Sequence, residues 1–177
     1  AGFAFGTIQV GGNLLSGADG ARRVEALLEA QAATGFQVHL ETHRATLTES
    51  MPRTMTLLET FPELTFNLDL SHWYLSHRLD RMSAASFVQR AEPMLRRCRF
   101  AHGRIAGPNE IQMPLAEAMS APFFESVWAH VAGLAHGLYF APEILPAYTG
   151  YARVDAPDRW ADALEMLRRV EDRCVAS

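Results

Sequence analysis

Five times along the chain a short apolar run of strand character gives way to a longer segment of helical periodicity, and this alternation narrows the fold more than any other feature. The candidate strands are Phe3–Val10, Gln37–Thr42, Leu64–Leu70, Arg99–Ile105 and Leu138–Glu143. The first helical segment places Val24, Leu27, Leu28 and Gln31 on one face and ends near Gly35, a residue suited to the left-handed turn after a helix. The second opens at Pro52, carries Leu57, Leu58 and Phe61, and stops at Pro62. The third takes Ser83 as its N-cap and buries Phe87, Val88, Ala91 and Leu95, with Pro93 expected to kink or shorten it. The fourth runs from about Pro122 through Phe124, Val127, Trp128, Val131 and Leu134. The fifth starts near Pro157 and uses Trp160, Leu164, Leu167 and Val170.

Strand followed by helix, repeated, defines an α/β protein with a parallel sheet. Strand starts fall roughly 27 to 39 residues apart, against about 31 per unit in a (β/α)8 barrel. A doubly wound five-stranded sheet fits the same count. The chain has 177 residues and no composition shift that marks a linker, so residues 1–177 read as a single domain.

All sixteen basic residues are Arg, and the absence of Lys removes Schiff-base aldolases, pyridoxal enzymes and P-loop nucleotide hydrolases from consideration. The net charge is −4, and apart from Arg96, Arg97 and Arg99 the arginines are scattered, so no basic face for nucleic acid is expected. Cys98 and Cys174 form no C-x-x-C pattern, which points away from a disulfide scaffold and toward a cytoplasmic protein. The longest uncharged stretches, the first eighteen residues and Ser126–Pro142, hold too many polar and Gly residues for a spanning helix, so no membrane association is expected. The N-terminus lacks the basic region of a signal peptide, and it starts with Ala, as expected if an upstream segment is absent or methionine has been removed.

Strands buried on both faces read as continuous apolar runs, so polar residues at alternate positions call for a reason. His39, Glu41 and His43 share one face of the second strand; Thr65, Asn67 and Asp69 share one face of the third; His102 and Arg104 share one face of the fourth. Glu143 closes the fifth. The C-terminal ends of parallel strands converge on the cleft where α/β proteins build their sites. Glu41, Asp69, His102 and Glu143 therefore assemble three carboxylates and one imidazole. Three carboxylates in proximity repel and raise one another's pKa unless a cation neutralises them. Oxygen-rich ligation with one nitrogen favours Mn²⁺, Mg²⁺ or Co²⁺, with Zn²⁺ left open.

The segments Glu-Thr-His-Arg at 41–44, Phe-Pro-Glu-Leu-Thr-Phe-Asn-Leu-Asp-Leu-Ser-His-Trp at 61–73, His-Gly-Arg-Ile at 102–105 and Pro-Glu-Ile-Leu-Pro-Ala-Tyr at 142–148 resemble the xylose-isomerase-like TIM barrels, generically called sugar phosphate isomerases/epimerases. The likeness spans about residues 38 to 148, is greatest to a branch with Glu-Thr-His-Arg and Asp-x-Ser-His-Trp motifs, and has Asp-x-x-His as its most specific local signal. It implies a partial (β/α)8 barrel, strands four to eight with their helices, in which Phe3–Val10 is strand four. It also implies a divalent metal held by Glu41, Asp69, His102 and Glu143, with His72 binding substrate oxygens. The function implied is a metal-dependent sugar or sugar phosphate isomerase/epimerase. Glu41 and Glu143 act in it as acid/base catalysts on opposite faces of a sugar carbon, through a metal-stabilised enediolate.

Other residues carry two readings each. His43 lines the pocket or is a satisfied structural histidine; Arg104 holds a substrate oxyanion or pairs with Asp69 or a neighbouring Glu. Trp73 and Tyr74 wall a sugar site or pack. Asn109 and Gln112 are polar loop residues within reach of a substrate, while His77, His130 and His136 have no motif support. Two other functions share the barrel. A phosphodiesterase of the apurinic endonuclease type requires a D-x-H pair, which the sequence lacks, and a non-catalytic metal-binding barrel would keep the ligands without turnover. The expected partner is a small carbohydrate. Five strands of a barrel leave two open edges, so the chain is expected to be a piece of a longer protein or to pair with another chain, as in a homo-oligomer.

Overall fold

The structure is a computed structural model, and it describes residues 2–134, 138–146, 149–151 and 159–176. Five strands alternate with helices: β1 (Phe5–Ile8), α1 (Gly17–Thr34), β2 (Gln37–Glu41), α2 (Met51–Thr60), β3 (Phe66–Asp69), α3 (Leu70–Ser76), α4 (Ala84–Leu95), β4 (Cys98–Gly103), α5 (Ala121–Leu134), β5 (Tyr139–Pro142) and α6 (Arg159–Ala176). Short 3-10 turns at Leu79–Arg81 and Leu115–Glu117 lie in the connections before α4 and α5.

The helix ends follow local chemistry. Ser16, Ser50 and Ser83 hydroxyls accept from backbone N–H groups of the first turns of α1, α2 and α4, and Gly35 ends α1 at φ 68°. Pro93 does not shorten α4, which continues to Leu95; Met94 and Leu95 are fully buried beyond it, and their burial holds the last turn. β1 is shorter than the apolar run that predicts it, and Phe3 is exposed. α3 is absent from the sequence reading, which extends the third strand to Leu70. The expected start of α6 at Pro157 lies outside the described residues.

All strand pairs are parallel and the sheet order is β1-β2-β3-β4-β5. A doubly wound sheet needs a point where the order reverses, and there is none among these strands, so the sheet is a sector of a (β/α)8 barrel. It is strongly curled. In a flat sheet, β1 and β5 would stand about 19 Å apart at four strand spacings, yet the rings of Phe5 and Tyr139 meet at 4.8 Å between centroids. Phe5 also meets Phe100 at 5.4 Å and His39 at 5.0 Å, so an aromatic layer fills the trough at the N-terminal end of the strands. On the convex face Leu40, Phe66, Leu68 and Ala101 pack without exposure against the helices, which contribute Val24, Phe87, Ala91, Phe124 and Trp128. No helix among the described residues is long and apolar enough to cross a membrane.

Gly103 sits where this convex layer is tightest. A Cβ there would lie 2.5 Å from Phe140 Cζ and 2.9 Å from Met166 Sδ, and Phe140 itself meets Trp128 edge-on at 5.1 Å between centroids. Gly103→Ala is therefore expected to destabilise the fold by about 1–3 kcal/mol, the usual cost of overpacking, read as a lowered urea midpoint.

Candidate functional site

The trough above the aromatic layer holds the polar strand ends. Glu41 is the last residue of β2 and Asp69 the last of β3; His102 is next to last in β4, while Arg104 and Glu143 follow β4 and β5. Their alignment depends on an irregularity. Phe66 pairs with Cys98, but Asn67 pairs with Phe100 and Asp69 with His102, so Arg99 is an extra residue in β4. That places His102 level with Asp69, on the same face.

Glu41, Asp69 and His102 each offer a ligand atom, and these atoms all lie within 4.8 Å of one another. His102 Nδ1 is 3.9 Å from Glu41 Oε1, 3.8 Å from Asp69 Oδ2 and 2.8 Å from Glu143 Oε2. Glu143 thus enters the cluster through His102 and through Arg104, whose Nη2 donates to its Oε2 at 3.1 Å. Two carboxamides orient the cluster from behind: Gln9 Nε2 donates to Glu41 Oε1 at 3.1 Å, and Asn67 Nδ2 lies 3.2 Å from His102 Nε2. A set of carboxylate oxygens with one imidazole nitrogen at these separations fits a divalent cation of the Mn²⁺ or Mg²⁺ class.

Arg104 is 1% exposed and pairs with two of the carboxylates, Asp69 and Glu143. Its Nη2 bonds to Asp69 Oδ2 and its Nε donates to Ser71 Oγ at 3.1 Å. Asp69 also caps α3, since its Oδ1 accepts from Ser71 N at 3.1 Å, so one carboxylate ends a strand, starts a helix and anchors a guanidinium. His72, in the first turn of α3, is fully buried with Nε2 3.3 Å from Arg104 Nη2. A guanidinium only donates, so Nε2 accepts and Nδ1 carries the proton; Nδ1 has no hydrogen-bond partner among the described residues. His43 donates from Nδ1 to the Arg44 carbonyl at 2.7 Å and stacks on His72 with centroids 3.8 Å apart.

The electrostatics follow from these contacts. Burial pushes the Glu41 carboxyl up; the His102 charge and the Gln9 hydrogen bond offset this in part, and the charges of Asp69 and Glu143 reinforce it. Burial alone would raise Asp69 too, but hydrogen bonds from His102 and Ser71 and the Arg104 charge hold it well below the usual carboxylate range. Burial lowers His72 to about 3 against the pull of Asp69, with the neighbouring charges of Arg104 and Arg44 acting in the same direction as burial. Burial opposes the charged form of His102, yet its bonds to Asp69 and Glu143 outweigh that and raise it to about 9.

A ligating imidazole must first lose its proton. Divalent-cation affinity is therefore expected to climb about tenfold per pH unit from pH 6 and to level off near pH 9, as measured by Mn²⁺ titration. In metal-free protein the same raised pKa contributes stability that is fully present below about pH 6.5 and is lost as pH rises through about 9.

Five further sequence candidates have structural partners. Trp73 is fully buried and donates from Nε1 to the Thr48 carbonyl at 2.8 Å; Tyr74 packs on Phe123 and Phe124. His77 Nε2 lies 3.1 Å from Met51 N, and His130 pairs with Glu92 at 2.7 Å. Gln112 bonds the Leu145 backbone through both its amide atoms and ties the segments after β4 and β5 together. His136 and Tyr148 lie outside the described residues. Gln9, Ser71 and Tyr151 were not singled out by sequence. Gln9 follows the first strand as Glu143 follows the fifth, and Ser71 sits within the Asp-x-Ser-His motif, so both carried a usable signal. Tyr151, in the loop after β5, carried none; its ring covers Arg104, with the guanidinium carbon 4.9 Å from the centroid.

No protein-family model and no curated protein matches the chain. Among solved structures it is similar to the crystal structure of the probable 3-DHS dehydratase AsbF, involved in petrobactin synthesis, from Bacillus anthracis. The identity is 21% and the TM-score 0.44, over 95% of this chain and 52% of that one. The chain thus spans about half the length of that protein.

Proposed function

We propose that the chain carries the site of a divalent-metal-dependent isomerase or epimerase acting on a small carbohydrate. The observation that carries this reading is the convergence of Glu41, Asp69 and His102 from three successive strands, with ligand atoms within 4.8 Å and Glu143 held beside His102. Glu41, Asp69, His102 and Glu143 would hold the cation. When bound, it supplies Lewis acidity that polarises a carbonyl and its neighbouring hydroxyl.

The chain's own groups supply the rest. Glu41, whose carboxyl burial raises, would remove the proton alpha to a carbonyl. Glu143, 2.8 Å from His102 Nδ1 and partly exposed, would return it. His72 Nδ1–H and Arg104 Nη1 are buried donors without acceptors among the described residues, a state that costs about 1–3 kcal/mol each, and substrate oxygens that gain negative charge would satisfy them. The reading is tested by adding Mn²⁺ to the purified protein and then following exchange of the alpha proton of unphosphorylated and phosphorylated ketoses with solvent deuterium by NMR. Metal-dependent exchange is expected. Tight Mn²⁺ binding with no exchange on any ketose would favour a non-catalytic ion site instead.

A further inference from the structure

Beside the metal centre lies a second cavity, of about 320 Å³, whose wall includes Arg44, Asn109, Glu110, Gln112 and Tyr151. Tyr151 lines this cavity and also meets Arg104 and His72 beside the cluster. Its ring lies over Arg104 at 4.9 Å and over Arg44 at 5.1 Å, and stands edge-on to His72 at 6.3 Å between centroids. The wall is preformed: Gln112 is held at both amide atoms by Leu145, and the loop carrying Asn109 and Glu110 is closed by Gly107 N–H donating to the Glu110 carbonyl at 2.7 Å.

Two charged side chains line this cavity. Glu110 Oε2 is buried and accepts no hydrogen bond among the described residues. Arg44 is exposed and forms no ion pair among them. One carboxylate acceptor and one guanidinium donor in a single cavity, beside an aromatic ring, match groups that both donate and accept. Hydroxyls do both; the oxygens of a phosphate dianion only accept. Arg44 alone would attract a phosphate, but Glu110 in the same space cancels that charge and would leave its own buried oxygen facing like charge.

We propose that this cavity is the subsite for the part of the substrate remote from the reacting carbon, and that Glu110 makes it selective for an uncharged polyhydroxy chain over its phosphate ester. The proposal rests on the reading of the adjoining cluster as a metal-dependent sugar site. Glu110 is here a specificity-determining residue; it touches the distal hydroxyls, not the reacting atoms.

The test uses the full chain loaded with Mn²⁺, with metal affinity measured before any sugar is added. Xylulose, fructose, tagatose and psicose are then titrated calorimetrically, each beside its terminal monophosphate. The expected result is that any ketose that binds does so at least about tenfold more tightly than its phosphate. Glu110→Gln should reduce that ratio to about threefold or less and leave Mn²⁺ affinity unchanged. A wild-type preference for phosphates, an unchanged ratio in Glu110→Gln, or Mn²⁺ binding without binding of any ketose would each overturn the proposal and leave the metal centre standing. Failure to bind Mn²⁺ at the outset would overturn both.

Discussion

Replacing Glu41 or Glu143 with Gln is expected to lower turnover by about 10²–10⁴-fold, the usual contribution of a positioned acid or base. The two variants should differ in what they retain. Glu143 contacts the cluster through His102 and Arg104, and Gln keeps an oxygen there, so Glu143→Gln should still bind Mn²⁺. Glu41 is one of the three residues whose ligand atoms lie within 4.8 Å of each other, so Glu41→Gln should weaken the metal as well. Mn²⁺ titration together with deuterium exchange at the alpha carbon separates these effects. Full activity in either variant would remove the two-carboxylate assignment.

Asp69→Ala is expected to be the most damaging single change to stability, at about 3–5 kcal/mol, because it leaves the buried guanidinium of Arg104 without its main counter-charge. It also removes the N-cap of α3, which adds about 1 kcal/mol. The signature of the mechanism is the double variant. If the uncompensated charge is the cause, Asp69→Ala with Arg104→Met should recover most of the loss, since an apolar pair of similar volume avoids the desolvation cost. Urea unfolding of metal-free protein measures both. A double variant no more stable than Asp69→Ala would show that the cost comes from the cap and the local packing instead.

Much of the fold was legible because its signals are local. Short apolar runs located all five strands, and helix ends were marked by Ser83 through its capping hydrogen bond, by Pro52 through its fixed φ and by Gly35 through its left-handed φ. What escaped depends on contacts distant in sequence. Strand count and spacing are the same for a singly and a doubly wound sheet; only the order in space distinguishes them, and that is set by how helices pack on the convex face. The helix after β3 escaped because Asp69 reads as the end of an alternating strand, while its side chain turns back to cap the next turn. The strand-end rule brought Glu41, Asp69, His102 and Glu143 to one end of the sheet. It did not show that Arg104 would lie buried among them, nor that Tyr151 would cover it, because depth of burial depends on the loops that close over the trough.

The extra residue in β4 has a consequence for how this site tolerates change in length. Along a strand, inside and outside are a matter of odd and even, and Arg99 swaps the two for everything downstream of it. Removing that one residue would alter no ligand, yet it would turn His102 and Arg104 toward the helices and Ala101 toward the trough. His102 would then face a layer in which Phe140 and Met166 leave no room even for a methyl group beside Gly103. Near the start of β4, it is the presence of residue 99 that keeps the strand in frame.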